Sequence, residues 1–220
     1  MEYKLAHVDD YFHVEFEQPT KILSSAILNG GIRLADHFFN TKVDANFLGE
    51  RTDFESPEIT LANMAERLKW IGNTVGMMTA ADMKSFRRVK LEKQGVWIEA
   101  LVTAGVSNAR RAGDVADYQF MNEECEKVGT INILILTNAE LTDAAMVESV
   151  MMVAEAKAAC MQNLNVKSRA SEGMATGTGT DSTAIACGNG PKVNYCGKHV
   201  LFGEMLAQSV IQAISQSLNA

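Results

Sequence analysis

The sequence is poor in proline, with three in 220 residues, and it contains no polar tract, low-complexity segment or internal repeat. Nothing in it reads as a hinge between large domains, so residues 1–220 are expected to fold as one domain. Long apolar runs are also lacking. The stretch from Ala144 to Met161 comes nearest to membrane length, but Glu148, Glu155 and Lys157 interrupt it. Met1 to Asp10 is charged and has no apolar segment of the kind that opens a secretion signal. A protein that neither crosses nor anchors to a membrane, working in the cytoplasm, is therefore expected.

Basic surface is lacking too. The formal charge is −7, and lysine and arginine occur singly or in short pairs such as Arg87-Arg88 and Arg110-Arg111. Phosphate neutralisation needs a concentrated basic patch, so nucleic acid is not expected as a partner. The four cysteines, Cys125, Cys160, Cys187 and Cys196, are expected to stay reduced, as thiols of an intracellular protein usually do. Cys187, Cys196 and His199 offer three donor atoms. Their spacing fits no standard zinc signature and a fourth ligand is missing, so no metal site is expected.

What is present is an ordinary globular composition, 47% hydrophobic and 21% charged, in a chain long enough to bury its own core. Phe12 to Phe16 alternates with period two and reads as a strand, and Lys21 to Leu28 reads as a second. Asn29-Gly30-Gly31 supplies a turn that accepts positive φ. Ser56-Pro57-Glu58 carries the marks of a helix start, with the helix ending near Gly72. Thr74–Thr79, Ser85–Leu91 and Val96–Thr103 read as strands, the last two joined through Gln94-Gly95. Thr130–Thr137 is β-branched and almost continuously apolar, as in a strand covered on both faces. Thr142 caps a long helix that is apolar nearly all round and so should be deeply packed. Thr183–Cys187 reads as a strand, and Lys198–Leu218 as an amphipathic helix. The order predicts an α/β or α+β fold: a layered domain of mixed β-sheet packed by long helices.

Four polar segments break this fabric: Thr103–Asp114, Gly129–Asn132 with Thr137-Asn138 at the far end of the same strand, Thr176–Ser182, and Tyr195–His199. In Thr176-Gly-Thr-Gly-Thr-Asp-Ser182 the glycines let backbone amides approach a ligand, as an anion nest or oxyanion hole would require. A tight, self-bonded turn explains the same residues. The segment lacks the Gly-Lys-Ser/Thr of a P-loop and feeds a strand, not a helix. His199, at the predicted start of the last helix, suits a general base, or else a cap or surface histidine. Glu155, in a helix expected to be buried, needs a partner or serves as a proton carrier.

These segments together resemble the adenosylcobinamide amidohydrolase family. The matching residues are Gly105-Val-Ser-Asn-Ala109 with Arg111-Ala-Gly-Asp114, then Gly129-Thr-Ile-Asn-Ile133, Leu136-Thr-Asn-Ala139 and Glu155-Ala-Lys157. Ala175-Thr-Gly-Thr-Gly-Thr-Asp-Ser182 and Gly197-Lys-His199 with Gly203-Glu204 complete the set. Ala154 and Cys196 depart from the family's pattern. The resemblance implies hydrolysis of the amide that joins a corrin propionyl side chain to aminopropanol, giving adenosylcobyric acid in corrinoid salvage for cobalamin biosynthesis.

With that substrate in mind, Asp181 or His199 would activate water or a hydroxyl such as Ser182, and Glu155 would protonate the leaving amine. The residues that would bind the corrinoid are Ser107, Asn108, Arg111, Asp114, Thr130, Asn132, Thr137, Asn138, Thr176, Thr178, Gly179, Thr180 and Glu204. No cofactor is implied, since cobalt enters only within the substrate. The expected partner is the corrinoid itself, and self-association as a homo-oligomer stays open. The alternatives are a non-catalytic corrinoid carrier or sensor, a hydrolase of another amide, and a nucleotide-binding enzyme using the Thr/Gly segment.

Overall fold

The computed structural model describes residues 1–43, 55–117 and 130–220. Cys125 and Gly129 lie outside the described residues. Strand β1 (Tyr3–His7) pairs antiparallel with β2 (Tyr11–Ser24), which pairs antiparallel with β3 (Gly31–Lys42). The two predicted segments at Phe12 and Lys21 are thus largely one strand. Its ladder shifts register between Glu15 and Thr20, a stretch that contains Pro19, which has no amide to donate. Beyond Ser24 the chain turns through Asn29 and Gly31, both at positive φ.

Helix α1 (Pro57–Arg67) begins where its signals predict, with the Ser56 hydroxyl accepting from the Ile59 amide. It ends earlier than expected, at Leu68, and Lys69 and Gly72 adopt positive φ on the way to β4 (Thr74–Thr79). Ser85 belongs to a short 3₁₀ turn, so β5 starts later than predicted and spans Arg87–Lys93. It forms a hairpin with β6 (Val96–Ala104) through Gln94 and Gly95, both at positive φ.

After the two-residue β7 (Ala109–Arg110), β8 (Ile131–Thr137) is buried at every position. Its three isoleucines join one core, and Leu134 and Leu136 join the other. β9 (Glu140–Leu141) leads to α2 (Asp143–Asn163). β10 (Gly177–Thr178), β11 (Ser182–Cys187), β12 (Lys192–Val193) and α3 (Leu201–Leu218) complete the described elements.

The main sheet runs β4-β3-β2-β11-β8-β6-β5, with β1 pairing the first half of β2 and β11 the second. Only β3–β4 and β8–β11 are parallel within it, so the predicted mixed sheet is present. One face of β5, β6, β8 and β11 packs under α2 and α3. The other packs against Phe12, Val14, Phe38 and Met77 from β2, β3 and β4, so the sheet curls onto itself. Asn132 holds this seam: its Nδ2 donates to Asn40 Oδ1 at 2.7 Å and to Met78 O at 2.9 Å, while Asn40 Nδ2 donates to Thr103 Oγ1 at 2.9 Å.

Two expectations about the helices change. α2 is not deeply packed all round: Ala145, Met146, Ser149, Met152, Val153, Ala156, Cys160 and Met161 face the core, but Val147 is 52% and Met151 58% exposed. Alanine and methionine occupy both faces of this helix, so its sequence hides which side meets water. Glu155 is accordingly exposed, paired with Lys198 instead of buried. α3 begins at Leu201, and His199 sits in the exposed turn before it. Gly203 packs so closely on the Gly197 carbonyl that any Cβ would clash, which fixes how the helix is entered. No described helix is long and apolar enough to cross a membrane.

Candidate active site

The parallel strands β8 and β11 define two ends, and the predicted site residues divide between them. At the end where both strands begin, β10 pairs antiparallel with β7, setting Gly177 opposite Arg110 and Thr178 opposite Ala109. This pairing brings the threonine–glycine turn beside the loop that carries Ser107 and Asn108. Thr176 strengthens the junction, its amide donating to Arg110 O at 2.9 Å and its hydroxyl accepting from the Ala112 amide at 2.9 Å.

Asp181 closes the turn. Its Oδ1 accepts from the Ile131 amide at 3.0 Å and the Thr178 hydroxyl at 2.5 Å. Its Oδ2 accepts from the Thr178 amide at 3.0 Å and forms an ion pair with Lys157 from α2. Four donors therefore fill the acceptor sites of one carboxylate. Gly177 is required here, because a Cβ would lie 2.1 Å from Asp181 Oδ2 and 2.9 Å from Lys157 Nζ. Hydroxyls ring the same place: Thr130 Oγ1 lies 2.7 Å from Thr180 Oγ1, and Ser182 Oγ lies 3.0 Å from Ser25 Oγ.

Asp114 straps a second loop to this end. Its carboxylate accepts from the Ser168 hydroxyl at 2.5 Å, the Ser171 hydroxyl at 2.6 Å and the Arg111 amide at 2.8 Å. The Ser168 and Ser171 hydroxyls and that amide hold its pKa down at about 2. Arg111 lies against Gly173, where a Cβ would crowd its side chain.

Between the two loops opens a hollow of about 580 Å³, with Ser107, Asn108, Arg110, Asp117 and Arg169 in its walls. Arg110 is paired with Asp117. Asn108 is 8% exposed, and neither its Nδ2 nor its Oδ1 has a hydrogen-bond partner among the described residues. Its Nδ2 lies beside Gly179, 3.6 Å from where a Cβ would stand.

The other predicted residues are elsewhere. Six residues of β11, at about 3.3 Å each, put roughly 17 Å between its ends. At the far end Thr137 is buried, its hydroxyl donating to Trp97 O at 2.6 Å. Asn138 clamps the β5–β6 turn, accepting from the Trp97 amide and donating to Gly95 O, both at 2.9 Å. Glu204 pairs with Lys93 in that hairpin at 3.0 Å, and His199 lies in the exposed turn before α3, next to Lys198, which pairs with Glu155 of α2. His199 is not among the partners of Asp181, which are Ile131, Thr178 and Lys157. Asn132 is 1% exposed and belongs to the core seam.

Lys157, Ser25, Arg110 and Arg169 join the Asp181 end without having been singled out from sequence. Lys157 had a signal in the Glu155-Ala-Lys157 motif, and Arg110 in the polar segment Thr103–Asp114. Cys160, Cys187 and Cys196 are buried free thiols, and burial pushes the Cys196 thiol up to about 11. Among the described residues no three histidine, cysteine or acidic side chains cluster to hold a metal.

Comparison with known proteins matches residues 2–220 to the family described as adenosylcobinamide amidohydrolase. An uncharacterized protein of Methanocaldococcus jannaschii is 32% identical over 219 residues, 93% of this chain and 84% of that protein. An adenosylcobinamide amidohydrolase of Methanosarcina mazei is 26% identical over 201 residues, 87% of this chain and 86% of that protein. A crystal structure of a Pyrococcus horikoshii protein covers 98% of this chain and 79% of its own at 13% identity. Its TM-score of 0.44 is too low to bear on fold or function.

Proposed function

Because the chain belongs to the adenosylcobinamide amidohydrolase family, we propose that it hydrolyses the amide between the corrin propionyl side chain and aminopropanol, at the end of the sheet that holds Asp181. One observation carries the location. Family-matching segments distant in sequence, Gly105–Asp114, Thr130–Asn132, Lys157 and Thr176–Ser182, converge there beside an open hollow. Its volume lies within the range of small-molecule sites and suits a side-chain arm with the adjoining edge of a large ring.

Water adds across the amide C–N bond, the acyl half leaving as adenosylcobyric acid and the other as 1-aminopropan-2-ol. Negative charge develops on the carbonyl oxygen. In this reading the glycine-containing backbone of the turn, held in shape by the Thr178 amide and hydroxyl bonded to Asp181, receives it. Asp181, with four donors upon it, acts as a positioning residue that fixes the turn and Lys157. Ser182, beside Ser25, adds a further hydroxyl where the turn meets β11. His199 and Glu155 have no part in this reading, since the partners of Asp181 are Ile131, Thr178 and Lys157 and Glu155 is paired with Lys198. No cofactor is involved, and cobalt arrives within the corrinoid. We place the reaction in the cytoplasm, with residues 1–220 acting as one unit.

The test is direct. Purified protein incubated with adenosylcobinamide should release adenosylcobyric acid and 1-aminopropan-2-ol, resolved by chromatography and mass spectrometry. Tight binding without either product would instead make the chain a corrinoid carrier, and neither binding nor product would overturn the reading.

A further inference from the structure

A buried side-chain amide normally fills both its donor and its acceptor sites within the protein, because leaving either empty costs free energy that water would otherwise supply. Asn108 is more than nine-tenths buried and fills neither among the described residues. The flanking backbone holds it in place: the Ala109 amide donates to Val106 O at 3.2 Å, and the Ala109 carbonyl accepts from the Arg169 amide at 2.9 Å. Asn108 is one of the residues lining the hollow, and its Nδ2 lies beside Gly179 of the threonine–glycine turn.

A group that presents one acceptor and one donor side by side gives a partner to both the Nδ2 and the Oδ1 of such an amide. A primary carboxamide does so, by two parallel hydrogen bonds. A carboxylate supplies acceptors only and leaves Asn108 Oδ1 unpaired. An alkyl group supplies neither. Arg110 beside it is already neutralised by Asp117, so that part of the wall does not call for an anion.

We propose that Asn108 is a specificity-determining residue that binds a peripheral primary carboxamide of the substrate, fixing the ring edge while the neighbouring amide arm enters the turn. The inference rests on the corrinoid reading above and narrows it to one residue and one chemical group.

Asn108→Ala and Asn108→Leu test it by two readouts that a structural role would move differently. No protein hydrogen bond is lost, so the melting temperature should hold or rise. KM for adenosylcobinamide should rise about tenfold or more, with kcat changing less. Adenosylcobinamide monoacids, each with one carboxamide converted to carboxylate, identify the partner. One of them should be a poor substrate for the wild type and lose nothing further with Asn108→Ala. A melting temperature lowered by several degrees with KM unchanged would make Asn108 structural and overturn the inference. So would unchanged kinetics in both variants, or a monoacid series in which none is coupled to Asn108. A wild-type enzyme that does not turn over adenosylcobinamide would instead remove the functional reading, and the inference with it.

Discussion

Lys157 and Asp181 meet as an ion pair between α2 and the residue just before β11, with 15% and 10% of their side chains exposed. The pair joins the helix layer to the threonine–glycine turn, so it carries both stability and geometry. Removing one partner strands the other in a poorly solvated place. Asp181→Ala and Lys157→Met should each cost about 3–5 kcal/mol in chemical denaturation. The double variant should cost less than the sum of the two, by about 1–3 kcal/mol. Additive costs would mean that the two groups do not interact.

Asn132 offers a contrast, because it carries a family motif yet lies in the seam where the sheet folds over. Asn132→Ala deletes its bonds to Asn40 and Met78 and leaves two buried acceptors short of a donor. The expected loss is about 2–4 kcal/mol of folding free energy, with KM for adenosylcobinamide little changed. A large rise in KM at unaltered stability would move Asn132 from the core to the substrate.

Much of this fold was legible because the signals were local. The Ser56 and Thr142 caps, the Gln94-Gly95 hairpin and the doubly covered Ile131–Thr137 strand each follow from a few adjacent residues. What failed was information held between elements. The apolar residues of α2 lie on both of its faces, so nothing in its own sequence tells that Val147 and Met151 face outward. The site divided for the same reason. Asp181 and His199 are both polar, both beside glycine, and both in family motifs. Only the parallel pairing of β8 with β11 shows that one precedes the strand and the other follows the return loop. The Asn108 amide was legible as a polar residue after a strand, but its lack of partners exists only in three dimensions.

His13 gives a pH signature. It stacks on Trp70 at 4.1 Å between ring centroids, and its Nε2 lies 3.1 Å from His37 Nδ1. His37 Nε2 faces Ile71 O at 3.1 Å and must donate to it, so His37 Nδ1 accepts and His13 Nε2 donates. Burial, reinforced by His37, lowers the His13 pKa from 6.5 to about 4. The native state therefore resists a proton that the unfolded chain accepts. The associated stability is fully present above about pH 6.5 and is lost as pH falls towards 4. The melting temperature should decline over that window, and His13→Phe, which keeps the stack on Trp70, should flatten the decline. An identical slope in wild type and variant would assign the pH dependence to other groups.

The choice between the Thr178–Asp181 turn and the start of α3 is settled by comparing His199→Ala with Asp181→Ala in one assay. His199 is exposed, precedes α3, and is not among the partners of Asp181, which are Ile131, Thr178 and Lys157. If hydrolysis takes place beside the Thr178–Asp181 turn, His199→Ala should turn over adenosylcobinamide at close to the wild-type rate. Asp181→Ala should release the turn and Lys157 together. It should then lose about 10²–10³ in kcat, the scale on which displacing a preorganised donor acts. Both proteins should be assayed at a temperature well below the melting point of the less stable one, so that folding does not enter the rate. The reverse pattern, with His199→Ala inactive and Asp181→Ala merely less stable, would place the chemistry at the start of α3. Glu204 would then be the residue to examine around it.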